Sequence, residues 1–190
     1  ETRAQNEELL KQNVSIITDS ISSIITELPL TFTTDPKLQA SLWKIRKETL
    51  PTVAAMRESG TTPIIEDICF PIERLAEGTL QLQSLFEKYN YPEAVIFGHS
   101  LEGNLHFMFN PDFSKQEDID KYGAFMDDIA KMVVNDYDGS LKAEHGTGRN
   151  MAPYVEMEWG STAYSIMKEI KQIFDPKGIL NPGVILNDDS

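Results

Sequence analysis

The sequence has one cysteine, two tryptophans and three histidines, and it is short of positive charge. Cys69 has no partner for an internal disulfide, and alone it excludes a cysteine-rich zinc site or an iron–sulfur cluster built by this chain. It lies in the apolar run Ile68-Cys69-Phe70, where a buried, inert thiol is expected. Seventeen Lys and Arg stand against 30 Asp and Glu, a formal net charge of −13. Such a surface repels phosphate backbones and anionic lipid, so it argues against nucleic-acid and membrane-surface partners. No stretch approaches the roughly 18 uninterrupted apolar residues of a membrane span. The richest window, Ile16 to Leu30, is broken by Thr18, Asp19, Ser20, Ser22, Ser23, Thr26 and Glu27.

The 190 residues are otherwise ordinary: 41% are hydrophobic and 25% charged, the balance of a globular chain rather than a disordered or fibrous one. The chain begins with Glu1, without Met or a secretory h-region, as expected of a piece of a longer polypeptide. Apolar residues from Ala4 to Leu28 recur at helical spacing and predict one long amphipathic helix docked on the core, an appendage over residues 1–34. The remaining domain, residues 35–190, opens with Asp35-Pro36, an N-cap and first-turn proline for a helix up to Leu50-Pro51. A strand is predicted over Thr62–Ile72, a helix from Leu75 to near Asn90, and β-rich runs at Ala94–His99 and Asn104–Phe109. A helix at Glu117–Asn135, a short strand at Gly139–Glu144 and a helix at Ser161–Phe174 complete the order. That order predicts an α+β fold, an antiparallel sheet with helices packed on one face.

The three histidines, His99, His106 and His145, all lie in glycine-flanked segments. A two-residue turn at Glu102-Gly103 would place His99 directly opposite His106, with Cβ atoms about 4.5–5.5 Å apart on one face. Two imidazoles that close can converge on one cation, whereas a seven-residue offset on a helix spans about 10.5 Å. Glu144, arriving from another strand, would be the third ligand. Two histidines and one carboxylate leave coordination positions open, which suits catalysis. The same residues also fit a plainer arrangement, two cross-strand histidines on a half-buried sheet beside an exposed Glu-His pair.

Three segments carry a resemblance. Gly98-His99-Ser100-Leu101-Glu102-Gly103-Asn104-Leu105-His106 resembles a G-H-x-x-D/E-G-N-x-H motif, Lys142 to Gly148 an S/K-x-E-H-G-x-G motif, and Phe174 to Gly183 a closing F-D-P-x-G-I/L-L-N-P-G motif. All three belong, in this order, to the C-terminal domain of FAD-linked oxidases, and the likeness covers roughly Trp43 to Leu186. That family embraces D-lactate dehydrogenases, the glycolate oxidase flavin subunit and D-2-hydroxyglutarate dehydrogenases. The run from Gly60 to Ser190 is most similar to long bacterial members that join flavin and iron–sulfur modules in one chain.

The resemblance implies a ferredoxin-like cap domain that binds substrate, with FAD held mostly by an upstream domain of the same protein. It implies a divalent metal, usually zinc, on His99, His106 and Glu144. His145 would face substrate and flavin as the catalytic base, since imidazole changes protonation near neutral pH. Arg46 would grip a substrate carboxylate, with Arg149 as a second candidate, and Asn181 would sit near the flavin ring. The expected substrate is a small 2-hydroxy acid, oxidised by hydride transfer from C2 to FAD. The intact protein is expected in the cytoplasm or at the inner face of the membrane. The chain departs from the D-2-hydroxyglutarate pattern at Leu50, Ile65 and Met108, where those enzymes carry Thr, Lys and Asn. Two other readings fit the residues: a regulatory or metal-binding module without chemistry, and a purely structural domain. On an alternating strand Glu144 and His145 would point to opposite faces; their split roles need the backbone to leave β geometry there.

Overall fold

The computed structural model describes residues 2–26 and 28–187, apart from the side chain of Leu50. The chain divides into two compact units, Glu1–Val53 and Ala54–Ser190.

In the first unit, α1 (Glu7–Ser20) starts where the Asn6 side chain accepts the Leu9 N–H at 2.9 Å. It stops eight residues short of the expected end at Leu28. The reason lies in its hydroxyls: Thr18, Ser20 and Ser22 each donate to a backbone carbonyl three or four residues back, competing with the helical ladder. No residue of α1 is buried. Helix α2 (Pro36–Met56) begins as the Asp35-Pro36 pair predicts, with Asp35 Oδ1 accepting the Lys37 N–H at 2.9 Å. It runs on through Pro51 instead of ending there, so one intrahelical hydrogen bond is missing at that turn. The departure at Leu50 lies outside the described side chains.

The second unit carries an antiparallel sheet of three strands, β1 (Ile64–Cys69), β2 (Val95–His99) and β3 (Asn104–Phe109), in the order β1-β3-β2. β3 is central and every one of its residues is buried. Alternation sends Leu105, Phe107 and Phe109 to one face and Asn104, His106 and Met108 to the other. The first face is covered by α3 (Leu75–Lys88) and α4 (Gln116–Lys131), the latter prolonged by one wide π-type turn, Met132–Asp136. Phe86 of α3, Phe107 and Phe109 of β3, and Phe125 of α4 meet in a cluster of edge-on and tilted rings 5.1–6.5 Å apart. This is the predicted α+β architecture. The last helix, α5 (Val155–Phe174), starts six residues before the expected Ser161 and is broken at Gly160, whose φ of 77° is non-helical. No helix among the described residues is long and apolar enough to cross a membrane.

Two strands are shorter than their apolar runs suggest. β1 covers only the middle of Thr62–Ile72, because Pro71 ends the ladder. The expected strand Gly139–Glu144 contributes a single bridge, Ser140 to Cys69. Beyond Ser140 the segment is held by side chains: Glu158 of α5 accepts from Ser140 Oγ at 2.7 Å and pairs with Lys142 Nζ at 3.0 Å. Lys142 also lies 4.8 Å from the Trp159 ring centroid, so its side chain is anchored on α5.

On the helical side of β1, Tyr122 O–H donates to Asn150 Oδ1, and Asn150 Nδ2 donates to Glu66 Oε1. Burial, and then repulsion from Asp67, push the Glu66 carboxyl above the usual carboxylate range despite the Asn150 hydrogen bond. A pKa raised by folding adds stability that is complete below the unfolded value and is lost as pH rises through the folded one. Glu66→Gln keeps an acceptor for Asn150 and removes the buried charge. Thermal unfolding from pH 4 to 8 is therefore expected to show the variant gaining on the wild type as pH rises; a pH-independent difference would contradict this.

Candidate metal and substrate site

The hairpin that brings the histidines together is not the two-residue turn the sequence suggests. His99 pairs with Asn104, Gly98 with Leu105 and Phe97 with His106, leaving a four-residue loop, Ser100–Gly103. A two-residue turn would demand positive φ at Glu102 as well as Gly103. Instead Ser100–Glu102 coil into one helical turn, only Gly103 takes the left-handed conformation (φ 68°), and its N–H closes on Ser100 O at 3.2 Å. A Cβ at Gly103 would stand 2.1 Å from Phe70 O, so only glycine lets Phe70 N–H bond Gly103 O at 2.9 Å. The register therefore slips by two residues. A slip of two preserves the face, whereas one would have sent the rings apart. His99 and His106 are diagonal neighbours, with ring centroids 5.6 Å apart and planes nearly perpendicular.

Glu144 closes the group. Its Oε1 lies 3.0 Å from His99 Nε2 and 2.7 Å from His106 Nε2, and one ligand atom from each residue falls within 4.8 Å of the other two. The His106 side chain is 6% exposed, against 47% for His99 and 51% for Glu144. The cluster thus has a buried floor and an open mouth. Zinc–ligand bonds of about 2.1 Å at tetrahedral angles separate ligand atoms by roughly 3.4 Å. The separations of 3.0 and 2.7 Å from Glu144 to the two histidines would have to open by about 0.4 and 0.7 Å to take an ion at those angles. The donor set, two imidazole nitrogens and one carboxylate oxygen, suits a divalent cation with open positions. Burial, and then repulsion from His145, hold the His106 pKa below the usual imidazole value, although Glu144 opposes this. A neutral ring is the form that ligates metal.

The turn that delivers Glu144 is organised by Asp67 of β1, which the sequence shows only as an interruption in an apolar run. Asp67 is 1% exposed, faces the same side of the sheet as His106, and stands directly opposite it. Its Oδ2 accepts the N–H groups of Glu144 at 2.6 Å and His145 at 3.0 Å, with Asn104 Nδ2 at 3.5 Å. Burial alone would raise this carboxyl, but the backbone donors of Glu144, His145 and Ala143 hold it below the usual range. With two successive amides pinned to one oxygen, the chain leaves β geometry. Glu144 reaches the histidine pair, and the His145 ring stacks on His106 with centroids 4.7 Å apart. A second potential ligand group, Asp67, His106 and His145, therefore shares His106 with the first.

A cleft of about 500 Å³ opens beside the cluster and is lined in part by Cys69, His99, Asn104, Lys142 and Glu144. Cys69 is half-buried rather than buried, because it ends an edge strand on the site face; burial, then the charges of Asp67 and Glu102, raise its thiol pKa. Arg149 is exposed on the Gly146–Arg149 loop, which accepts the Ile185 N–H at Gly148 O, 2.9 Å. That bond ties in the closing loop bearing Asn181, whose φ is 44°. Neither Arg149 nor Asn181 bonds to the three candidate ligands among the described residues. Arg46 sits in the first unit, on α2, with its guanidinium 5.6 Å from the Trp43 ring centroid.

The cluster of two histidines and one carboxylate is half open, whereas a structural zinc site is closed by four protein ligands. The chain belongs to the family described as FAD linked oxidases, C-terminal domain, which it matches over residues 1–185. It is 34% identical over 158 residues to the mitochondrial D-lactate dehydrogenase [cytochrome] of Arabidopsis thaliana, covering 82% of this chain and 27% of that protein. It is 32% identical over 148 residues to D-2-hydroxyglutarate dehydrogenase of Stutzerimonas stutzeri, covering 76% of this chain and 31% of that one. Glycolate oxidase subunit GlcD of Bacillus subtilis is 29% identical over 150 residues, 79% of this chain and 31% of the relative. The chain thus spans less than a third of the length of these relatives.

Proposed function

We propose that this chain is the substrate- and metal-binding part of a flavin-dependent D-2-hydroxy acid dehydrogenase. The observation that supports it most is the convergence of His99 Nε2 and His106 Nε2 on Glu144 Oε1 beside the exposed, stacked imidazole of His145.

The residues divide the work as follows. His99, His106 and Glu144 would hold a divalent cation, which supplies Lewis-acid polarisation of the substrate hydroxyl and fixes its carboxylate. FAD, carried mostly by another domain of the same protein, would supply the two-electron acceptor for the hydride of C2. His145 accepts the hydroxyl proton, so that alcohol becomes ketone and the product is a 2-oxo acid. Arg149 pairs with the carboxylate through a planar guanidinium, and Asn181 lies towards the flavin. Cys69 is the one cysteine, so an iron–sulfur module would have to come from another part of the protein.

The sheet row next to the site bears on substrate choice. Ile65, Met108 and Val95 are paired across the three strands and present no hydrogen-bond donor to a second carboxylate. Met108 is fully buried and none of the three lines the cleft, so it is the replacement of the Lys and Asn of the D-2-hydroxyglutarate pattern by Ile65 and Met108 that favours a short monocarboxylic 2-hydroxy acid of the D-lactate type over a dicarboxylate.

The test is turnover of D-lactate, glycolate and D-2-hydroxyglutarate by the intact protein with an artificial electron acceptor, before and after chelation. D-lactate is expected to be oxidised fastest, with activity lost on chelation and restored by zinc. Full activity in metal-stripped protein, or none on any of the three acids, would refute the reading.

A further inference from the structure

The cation site leaves three buried polar atoms without a partner on the same sheet face: Asp67 Oδ1, His106 Nδ1 and Asn104 Oδ1. Two of them belong to directly opposed residues of β1 and β3, both at least nine-tenths buried. Such a pair does not stay unsatisfied at a buried site without cost. Directly opposed side chains on one face stand about 4.5–5.5 Å apart at Cβ, close enough for a carboxylate to meet an imidazole edge.

We infer that Asp67 is the positioning residue of the site and acts through both of its carboxylate oxygens. Oδ2 holds the amides of Glu144 and His145, which aims one side chain at the histidine pair and lays the other ring on His106. Oδ1 and His106 Nδ1, each left without a partner in the structure, would pair, which leaves Nε2 as the nitrogen directed at Glu144 and the ion. A carboxylate behind a ligating histidine fixes its tautomer and strengthens it as a ligand. The metal part of this inference rests on the proposed function; the tautomer and the turn do not.

Asp67→Asn separates the two roles. The amides of Glu144 and His145 need an acceptor, so the asparagine carbonyl takes the place of Oδ2. Its NH2 group then faces His106 Nδ1, donor against donor, and drives the ring proton to Nε2, the nitrogen the ion requires. Asp67→Ala loses both roles.

The experiment combines zinc competition titration with proton–nitrogen spectra of the intact chain. Wild type is expected to show a slowly exchanging His106 Nδ1 proton and protected Glu144 and His145 amides. Asp67→Asn is expected to keep the amide protection, lose the Nδ1 proton and bind zinc about 10–100-fold more weakly. Asp67→Ala is expected to lose the amide protection as well. A bare or freely exchanging His106 Nδ1 in wild type, which needs no variant to fold, would overturn the inference, as would unchanged zinc affinity in Asp67→Asn. Wild type that shows the Nδ1 proton and protected amides yet takes up no zinc would sustain the role of Asp67 and refute the metal reading instead.

Discussion

On the proposed function, His106→Ala is expected to abolish zinc binding by the intact protein and to lower kcat/KM for D-lactate by about a thousandfold. The figure follows from charge stabilisation by a bound cation, worth several kcal/mol; about 4 kcal/mol corresponds to three decades in rate. Among the candidate ligands His106 is the one without a substitute. It is buried, so water cannot simply take its place. It touches Glu144, stacks against His145 and opposes Asp67. His99 is half exposed, and a water molecule can fill its coordination position. His99→Ala should therefore lose less, about tenfold to a hundredfold, on the scale of a weakened metal site. Elemental analysis alongside steady-state kinetics checks both: activity and metal content should fall together and in this order. Equal kinetics for wild type and His106→Ala would remove the cluster from the mechanism.

Phe107→Ala is expected to cost about 4 kcal/mol of unfolding free energy, within the range measured for buried Phe to Ala changes. Phe107 is fully buried at the centre of β3, with the rings of Phe86, Phe109 and Phe125 around it at 5.8–6.5 Å. A loss of that size is a large share of the 5–15 kcal/mol that holds an ordinary domain together. The residue lies next to His106 in sequence but on the opposite face of the sheet. The variant should therefore unfold at much lower denaturant concentration while its folded fraction keeps its metal affinity. Urea titration followed by circular dichroism measures the first, zinc competition the second. A destabilisation below about 1 kcal/mol, smaller than a typical core truncation, would mean that the aromatic cluster is not the core.

Much of this was legible in the residues. Period-two alternation in Asn104–Phe109 marks a strand with one aromatic and one polar face, and helical spacing in Glu117–Asn135 marks the helix that covers the former. That His99 and His106 share a face was legible because side-chain parity survives any even slip of register, although their direct pairing and the loop length were not. Loop length turned on whether Glu102 would take positive φ, a local preference decided by Phe70 reaching Gly103 O from another element. Asp67 was hidden for the opposite reason. A charge inside an apolar strand reads as a flaw until its acceptors meet amides 77 and 78 residues away. The same long-range bonds explain why the segment does not continue as a strand beyond Ser140: the Leu141 and Glu144 N–H groups go to the side chains of Glu158 and Asp67 in place of a neighbouring strand. One sign was available, since a carboxylate in a strand interior needs donors from somewhere.

The proposed function requires one divalent ion among His99, His106 and Glu144. Anomalous diffraction from crystals of the zinc-loaded protein, recorded on both sides of the zinc edge, tests it directly. One peak is predicted, about 2.0–2.2 Å from His99 Nε2, His106 Nε2 and a Glu144 carboxylate oxygen. Zinc-soaked crystals with no peak at this position, or with the ion bound elsewhere on the acidic surface, would contradict it.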